Sequence, residues 1–138
     1  MSNKSVSASF FEIYGNQHDV EGCEPLFASD AVIHSNTAPG PMDFATYKQL
    51  GSAYLAGFAD MRVEILDQVE DGKKVASRIA WSGTHTGMLN GIPATGRSFR
   101  SEAVTIDRIE DGKIQERWEV SDLLTMLQQL GVIPMPGA

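Results

Sequence analysis

Only one cysteine, Cys23, occurs in the 138 residues, so no disulfide can close within the chain and the disulfide-stapled extracellular scaffolds are excluded. A reducing cytoplasm is the expected location. Basic charge is also scarce: 11 lysines and arginines stand against 18 acidic residues, giving a formal net charge of -7 at pH 7. Such a field repels polyphosphate backbones and anionic lipid, which argues against nucleic acid and membrane as partners. No apolar run approaches the roughly 20 residues that a spanning helix needs. The segment from Met1 to Tyr14 has one lysine and an interrupting Glu12, so it does not read as a secretory signal.

Metal and phosphate motifs are missing too. The three histidines lack the short paired spacings of zinc sites, and Cys23 has no second thiol, so no metal is expected. Gly83, Gly87, Gly91 and Gly96 lack a following Gly-Lys-Ser/Thr and read as turn residues. Ser35, Ser82 and Ser101 have no visible base partner, which leaves nucleophilic catalysis without support.

What is present fits one ordinary domain spanning residues 1–138, with 42% hydrophobic residues to build a single core. Phe10, Phe11 and Tyr14 lie at helical spacing before a stop at Gly15-Asn16, and Asp19 is placed to cap a second helix toward Phe27. Val32 to Asn36 predicts a short strand. Asp43 reads as the N-cap of a helix whose apolar face carries Phe44, Tyr47, Leu50, Tyr54, Leu55 and Phe58.

Beyond Met61 the period changes from helix to strand. A three-residue loop, Asp71 to Lys73, predicts a hairpin pairing Val69 with Val75, Ile65 with Ile79 and Val63 with Trp81. A second hairpin turns at Asp111-Gly112. Its two-residue loop sets Ile109 opposite Ile114, Thr105 opposite Trp118, Ala103 opposite Val120 and Ser101 opposite Asp122, all on one face. Arg100, Glu102, Arg108, Arg117 and Glu119 then occupy the other face, toward solvent or a polar subunit interface. Asp107 opposite Glu116 marks an end open to water. Leu123 to Leu130 forms a last helix stopped by Gly131 and Pro134. Helices followed by antiparallel strands predict an α+β fold, a curved sheet wrapped over N-terminal helices with Asp122 at the rim.

Three stretches carry a family pattern: Gly83-Thr84-His85-Thr86-Gly87, then Gly91 to Arg97, then Asp111 to Trp118 leading to Asp122 and Gln129-Leu130-Gly131. In order and spacing the chain resembles the SnoaL-like polyketide cyclases from about Phe10 to Gly131. The resemblance implies a cone of curved antiparallel sheet packed on N-terminal helices, ketosteroid-isomerase-like and nuclear-transport-factor-2-like, assembled as a homodimer or higher homo-oligomer. It implies cofactor-independent intramolecular aldol condensation on a small hydrophobic ketone or polyketide, with Asp122 as acid and base. Arg117 stands where relatives often carry histidine.

Such chemistry removes a proton beside a carbonyl, which requires a base kept basic by apolar surroundings and donors for the enolate. Trp118, Val120, Trp81, Tyr14, Phe58 and Met88 are the expected pocket, with His85 and His34 as further candidate catalytic groups. Asp before an apolar run is equally the mark of a helix cap, and a lone histidine on a strand is commonly a core residue. Two other functions share the fold: a non-enzymatic ligand-binding or accessory protein, and an epoxide hydrolase. The second is disfavoured because Thr84 to Met88 lack the Arg-x-Asp pair those enzymes use.

Overall fold

The computed structural model describes residues 1–134. Helix α1 (Asn3–Phe10) is capped by Ser2, whose side chain accepts from the Ser5 backbone, and runs on into a π-helical turn, Phe11–Asn16. Asp19 does cap the next segment, accepting from the Gly22 N–H at 2.9 Å. That segment is a short 3-10 helix, Glu21–Leu26, in which Pro25 rules out a regular α-helical interior. Helix α2 (Phe44–Gly57) starts at Asp43, which accepts from the Thr46 N–H at 2.8 Å. Helix α3 (Leu123–Gln129) starts at Asp122.

Five strands form one sheet: β1 (Phe27–Ser35), β2 (Arg62–Asp71), β3 (Lys74–Thr84), β4 (Ser98–Glu110) and β5 (Lys113–Ser121), in the order β1-β5-β4-β3-β2. The sheet is mixed, which corrects the antiparallel expectation: β1 is longer than Val32 to Asn36 and lies parallel to β5. One face of the sheet packs on α1, the π-helical turn and α2. Phe10, Phe11, Phe27, Ile33, Ile79, Trp81 and Ile114 belong to the shared core, with Phe44, Tyr47 and Tyr54 of α2 against it. Each fully buried side chain of this size contributes about 1.5–3 kcal/mol.

Both hairpins contain an extra residue. In the β2–β3 pair the turn holds two residues, Gly72 and Lys73, so Val69 faces Ala76 and not Val75; a bulge at Leu66 then restores the expected pairs Ile65 with Ile79 and Val63 with Trp81. At the second hairpin, Asp111 and Gly112 have φ of 55° and 73°, the left-handed pair that a tight two-residue turn requires. Ile109 faces Ile114 as expected. Gln115 then bulges, and from there Asp107 faces Arg117, Ile106 faces Trp118, Thr105 faces Glu119 and Val104 faces Val120. One inserted residue therefore exchanges the two faces of β5.

Candidate functional site

An open cavity lies between the inner face of the sheet and the helices. Phe10, Tyr14, Phe44, Tyr47, Tyr54 and Trp81 supply its aromatic wall. Helical spacing explains the clustering, since Phe44, Tyr47 and Tyr54 share one face of α2. Gly51, on the same helix, leaves room for the Tyr14 ring: a Cβ there would stand 2.9 Å from Tyr14 Cε1, and the Tyr14 hydroxyl donates to Gly51 O at 2.9 Å.

Among the residues lining this cavity, Glu119 is the one carboxylate. The Tyr47 hydroxyl donates to its Oε1 at 2.5 Å and the Ser35 hydroxyl to its Oε2 at 3.0 Å. Each oxygen keeps a further lone pair. Burial, then the Glu119 charge, pushes the Tyr47 phenol well above its ordinary range, and the same two causes raise Tyr14 and Tyr54. The tyrosines are therefore protonated donors. Cys23 also lines the cavity, with its thiol pushed up to about 12 by burial, so it remains a neutral thiol. Thr105 Oγ1 and Trp81 Nε1, both on cavity-lining residues, have no hydrogen-bond partner among the described residues.

Behind Glu119 lies a fully buried ion pair. Arg117 donates through Nε to Asp107 Oδ1 at 2.7 Å and through Nη2 to Oδ2 at 2.9 Å, while Ser7 Oγ donates to Oδ2 at 2.8 Å. The guanidinium also stacks over Phe10, 4.0 Å from the ring centroid. Its remaining nitrogen, Nη1, donates to the Tyr47 oxygen at 3.3 Å. Burial alone would lower the Arg117 pKa, but Asp107, with Tyr47 and Glu119, more than offsets it and holds the guanidinium charged. An ion pair this enclosed is tolerable because the fork geometry satisfies both carboxylate oxygens.

The structure places the residues expected from sequence differently. Tyr14 and Trp81 line the cavity. Phe58 is fully buried in the core beside Trp81, Phe99 and His85, and Met88 is exposed. Trp118 and Val120 lie on the opposite sheet face, because the Gln115 bulge turned them outward; Val120 is 63% exposed. His34 shares that outer face, stacked on Trp118 with Nε2 2.7 Å from Glu116 Oε2. His85 is buried, with its Nδ1 held by the Thr95 backbone N–H and hydroxyl, and does not line the cavity.

Asp122 is exposed and caps α3. It accepts from the Thr125 N–H at 3.0 Å and the Thr125 hydroxyl at 2.6 Å. The hydroxyl bond first, then the backbone bond, lower its pKa below the ordinary aspartate value. The expected apolar enclosure of Asp122 is absent; its neighbours Ser121 and Leu123 line the cavity instead. Arg117 and Glu119, expected outside, point inward. A signal for this was present in the sequence: the unbulged ladder sets Asp107 against Glu116, a repulsive pair, and one extra residue replaces it with Asp107 against Arg117.

A helix-backed sheet whose inner face turns one carboxylate into an aromatic-walled cavity defines a class of small folds built around an internal pocket. The sequence profile of the SnoaL-like polyketide cyclases matches residues 5–130, and the chain belongs to that family. It is 39% identical over 101 residues to the aklanonic acid methyl ester cyclase DnrD of Streptomyces peucetius, covering 73% of this chain and 68% of that protein. To the nogalonic acid methyl ester cyclase of Streptomyces nogalater it is 34% identical over 119 residues, covering 85% and 87%. The crystal structure of IdmH from Streptomyces antibioticus superposes with a TM-score of 0.85 at 34% identity, covering 96% of this chain and all of that one.

Proposed function

We propose that this chain closes a ring of an aromatic polyketide by intramolecular aldol condensation, with Glu119 as the acid–base group in place of Asp122. Glu119 carries the reading because it is the carboxylate that the fold aims into the aromatic cavity. Glu119 removes a proton from carbon beside a carbonyl, the resulting enolate attacks a second carbonyl carbon, and the protonated Glu119 returns its proton to the new alkoxide. Protons and electrons balance within substrate and carboxylate, so the step calls for no redox or group-carrying cofactor. Ring faces suit Phe10, Tyr14 and Trp81, and the free Thr105 hydroxyl, paired across the ladder with Glu119, offers a donor to a substrate oxygen.

Turnover of an aklanonic-acid-type methyl ester by Glu119→Gln tests the proposal. The expected loss is about 10²- to 10⁴-fold, the usual worth of a positioned base, while Asp122→Asn keeps turnover within about threefold, as a cap residue should. Full turnover by Glu119→Gln with inactivity of Asp122→Asn returns the acid–base role to Asp122. Ligand binding without turnover in the unaltered protein would make the cavity a binding site only.

We further propose that the chain works in the cytoplasm, where Cys23 stays reduced, as a homodimer joined through the outer sheet face. Val104, Ile106 and Val120 stand exposed there on adjacent strands, with Trp118 between Ile106 and His34. Apolar surface shared by neighbouring strands is suited to a second copy.

A further inference from the structure

Three donor–acceptor links lead from the interior to the cavity: Asp107 to Arg117, Arg117 to Tyr47, and Tyr47 to Glu119. Their direction is fixed. A guanidinium only donates, so the Tyr47 oxygen must accept from Arg117, and its single hydrogen is left to point at Glu119. With Asp107 holding two sides of the guanidinium, the third side has a set orientation toward Tyr47. Tyr47 is thereby a polarised phenol, with a cation behind its oxygen and its hydrogen on Glu119, the carboxylate that lines the cavity.

We infer that Tyr47 is the oxyanion donor of the reaction and that Arg117 is the positioning residue that aims and strengthens it, an assignment that rests on Glu119 being the base. Once Glu119 has taken the substrate proton it is neutral and a weaker acceptor. The Tyr47 hydrogen then turns from Glu119 Oε1 to the enolate oxygen as a hydrogen bond, and Arg117 continues to donate to the phenol oxygen. No proton leaves Tyr47, and burial keeps it protonated throughout. One carboxylate and one phenol thus alternate: the base accepts while the phenol waits on it, and the phenol serves the substrate when the base is full. Tyr47 is a catalytic residue in this scheme because it lines the cavity. Arg117 is fully buried and does not line it.

The probe is 4-nitrophenol, whose absorbance separates phenol from phenolate, bound to Glu119→Gln, in which a neutral amide stands for the protonated carboxyl. We expect this variant to bind nitrophenolate about 10- to 100-fold more tightly than neutral nitrophenol, as a hydrogen bond to an anion would give. Adding Tyr47→Phe should abolish the preference. Adding Arg117→Met with Asp107→Leu, which removes both buried charges together, should reduce it about threefold or more while Tyr47 is retained. If that pair of changes prevents folding, Arg117→Lys keeps the charge opposite Asp107 but not the fork that reaches Tyr47, and it should lower the preference similarly. An anion preference unchanged by Tyr47→Phe overturns the donor assignment. A preference abolished by Tyr47→Phe but untouched at Arg117 overturns the positioning role. Failure of the two readings can be told apart: full turnover by Glu119→Gln that still prefers nitrophenolate removes the base and leaves the anion site standing. Absence of any nitrophenol binding removes the cavity reading and this inference with it.

Discussion

The two faces of β5 reverse the usual rule of polarity. Arg117 and Glu119 point into the protein, whereas Trp118 and Val120 point out. Scattered apolar residues at a surface are unremarkable, but a buried charge and an exposed apolar cluster are each informative. Here they occur on one strand, alternating residue by residue. Burying Arg117 and partly burying Glu119 costs solvation that the Asp107, Tyr47 and Ser35 contacts must offset. Exposing Val120 at 63% forgoes burial. Stability alone favours neither arrangement. The difference between the faces teaches that this strand turns its hydrogen-bonded polar groups toward the cavity and leaves apolar surface outside, where the proposed interface would lie.

Arg117→Glu is the most severe way to break the comparison. It sets a second carboxylate opposite Asp107 on the buried inner face, where the guanidinium now pairs with it. A buried charge stripped of its partner costs about 3–5 kcal/mol, a large part of the 5–15 kcal/mol that an ordinary domain has. The expected outcome is a chain without a cooperative thermal transition by circular dichroism. A normal melt with intact turnover would show that the Asp107–Arg117 pair does not hold the inner face.

Next in size is Arg117→Ala, which leaves Asp107 buried and unpaired. It should destabilise the protein by about 3–5 kcal/mol in urea unfolding, whereas the double change Arg117→Met with Asp107→Leu should cost less than half as much, because no orphan charge remains. Equal losses would mean that the pair is a net contributor to stability and not chiefly a device for the site.

The bulge also explains how much could be read in advance. Residues of β4 fell on their expected faces, Thr105, Ala103 and Ser101 inward, because alternation continues unbroken through the strand. Helix α2 and its Asp43 cap were equally legible, since the cap and the apolar spacing agree. Strand β5 was not legible, because alternation assigns every later residue to a face from one starting pair, and a single extra residue inverts them all. Trp118 and Val120 look like core by composition, and Arg117 and Glu119 look like surface. Only the repulsion between Asp107 and Glu116 in the unbulged ladder pointed the other way. Asp122 was legible as a cap from its place before an apolar run, whereas its expected role as a base came from the family resemblance alone; its bonds to Thr125 are those of a cap.

A milder alteration addresses the outer face alone. Val104→Lys together with Val120→Lys places two charges opposite each other across the β4–β5 ladder, where the valines now pair. Both sites are exposed, so stability of the folded chain should change by no more than about 1 kcal/mol. Sedimentation should show the proposed dimer replaced by monomer. A dimer that survives would move the interface elsewhere and leave the exposed valines without a role.

The smallest effect separates the two carboxylates that lie three residues apart. Asp122 has a folded pKa below its ordinary value of 3.8, through the Thr125 hydroxyl and backbone bonds. The unfolded chain therefore binds that proton first as acid is added. Its contribution to stability is complete above the ordinary value and is lost as pH falls through the depressed folded one. Asn is as good a cap as Asp, so Asp122→Asn should leave the urea midpoint at pH 7 nearly unchanged and flatten its decline as acid is added below the ordinary aspartate value. Asp43, lowered by the Thr46 backbone and side chain in the same way, should behave alike, and the two effects should add because the caps sit on separate helices. An acid limb as steep in Asp122→Asn as in the unaltered protein would show that the Asp122 carboxylate is not held by Thr125 in solution, and would free it for other work at the rim.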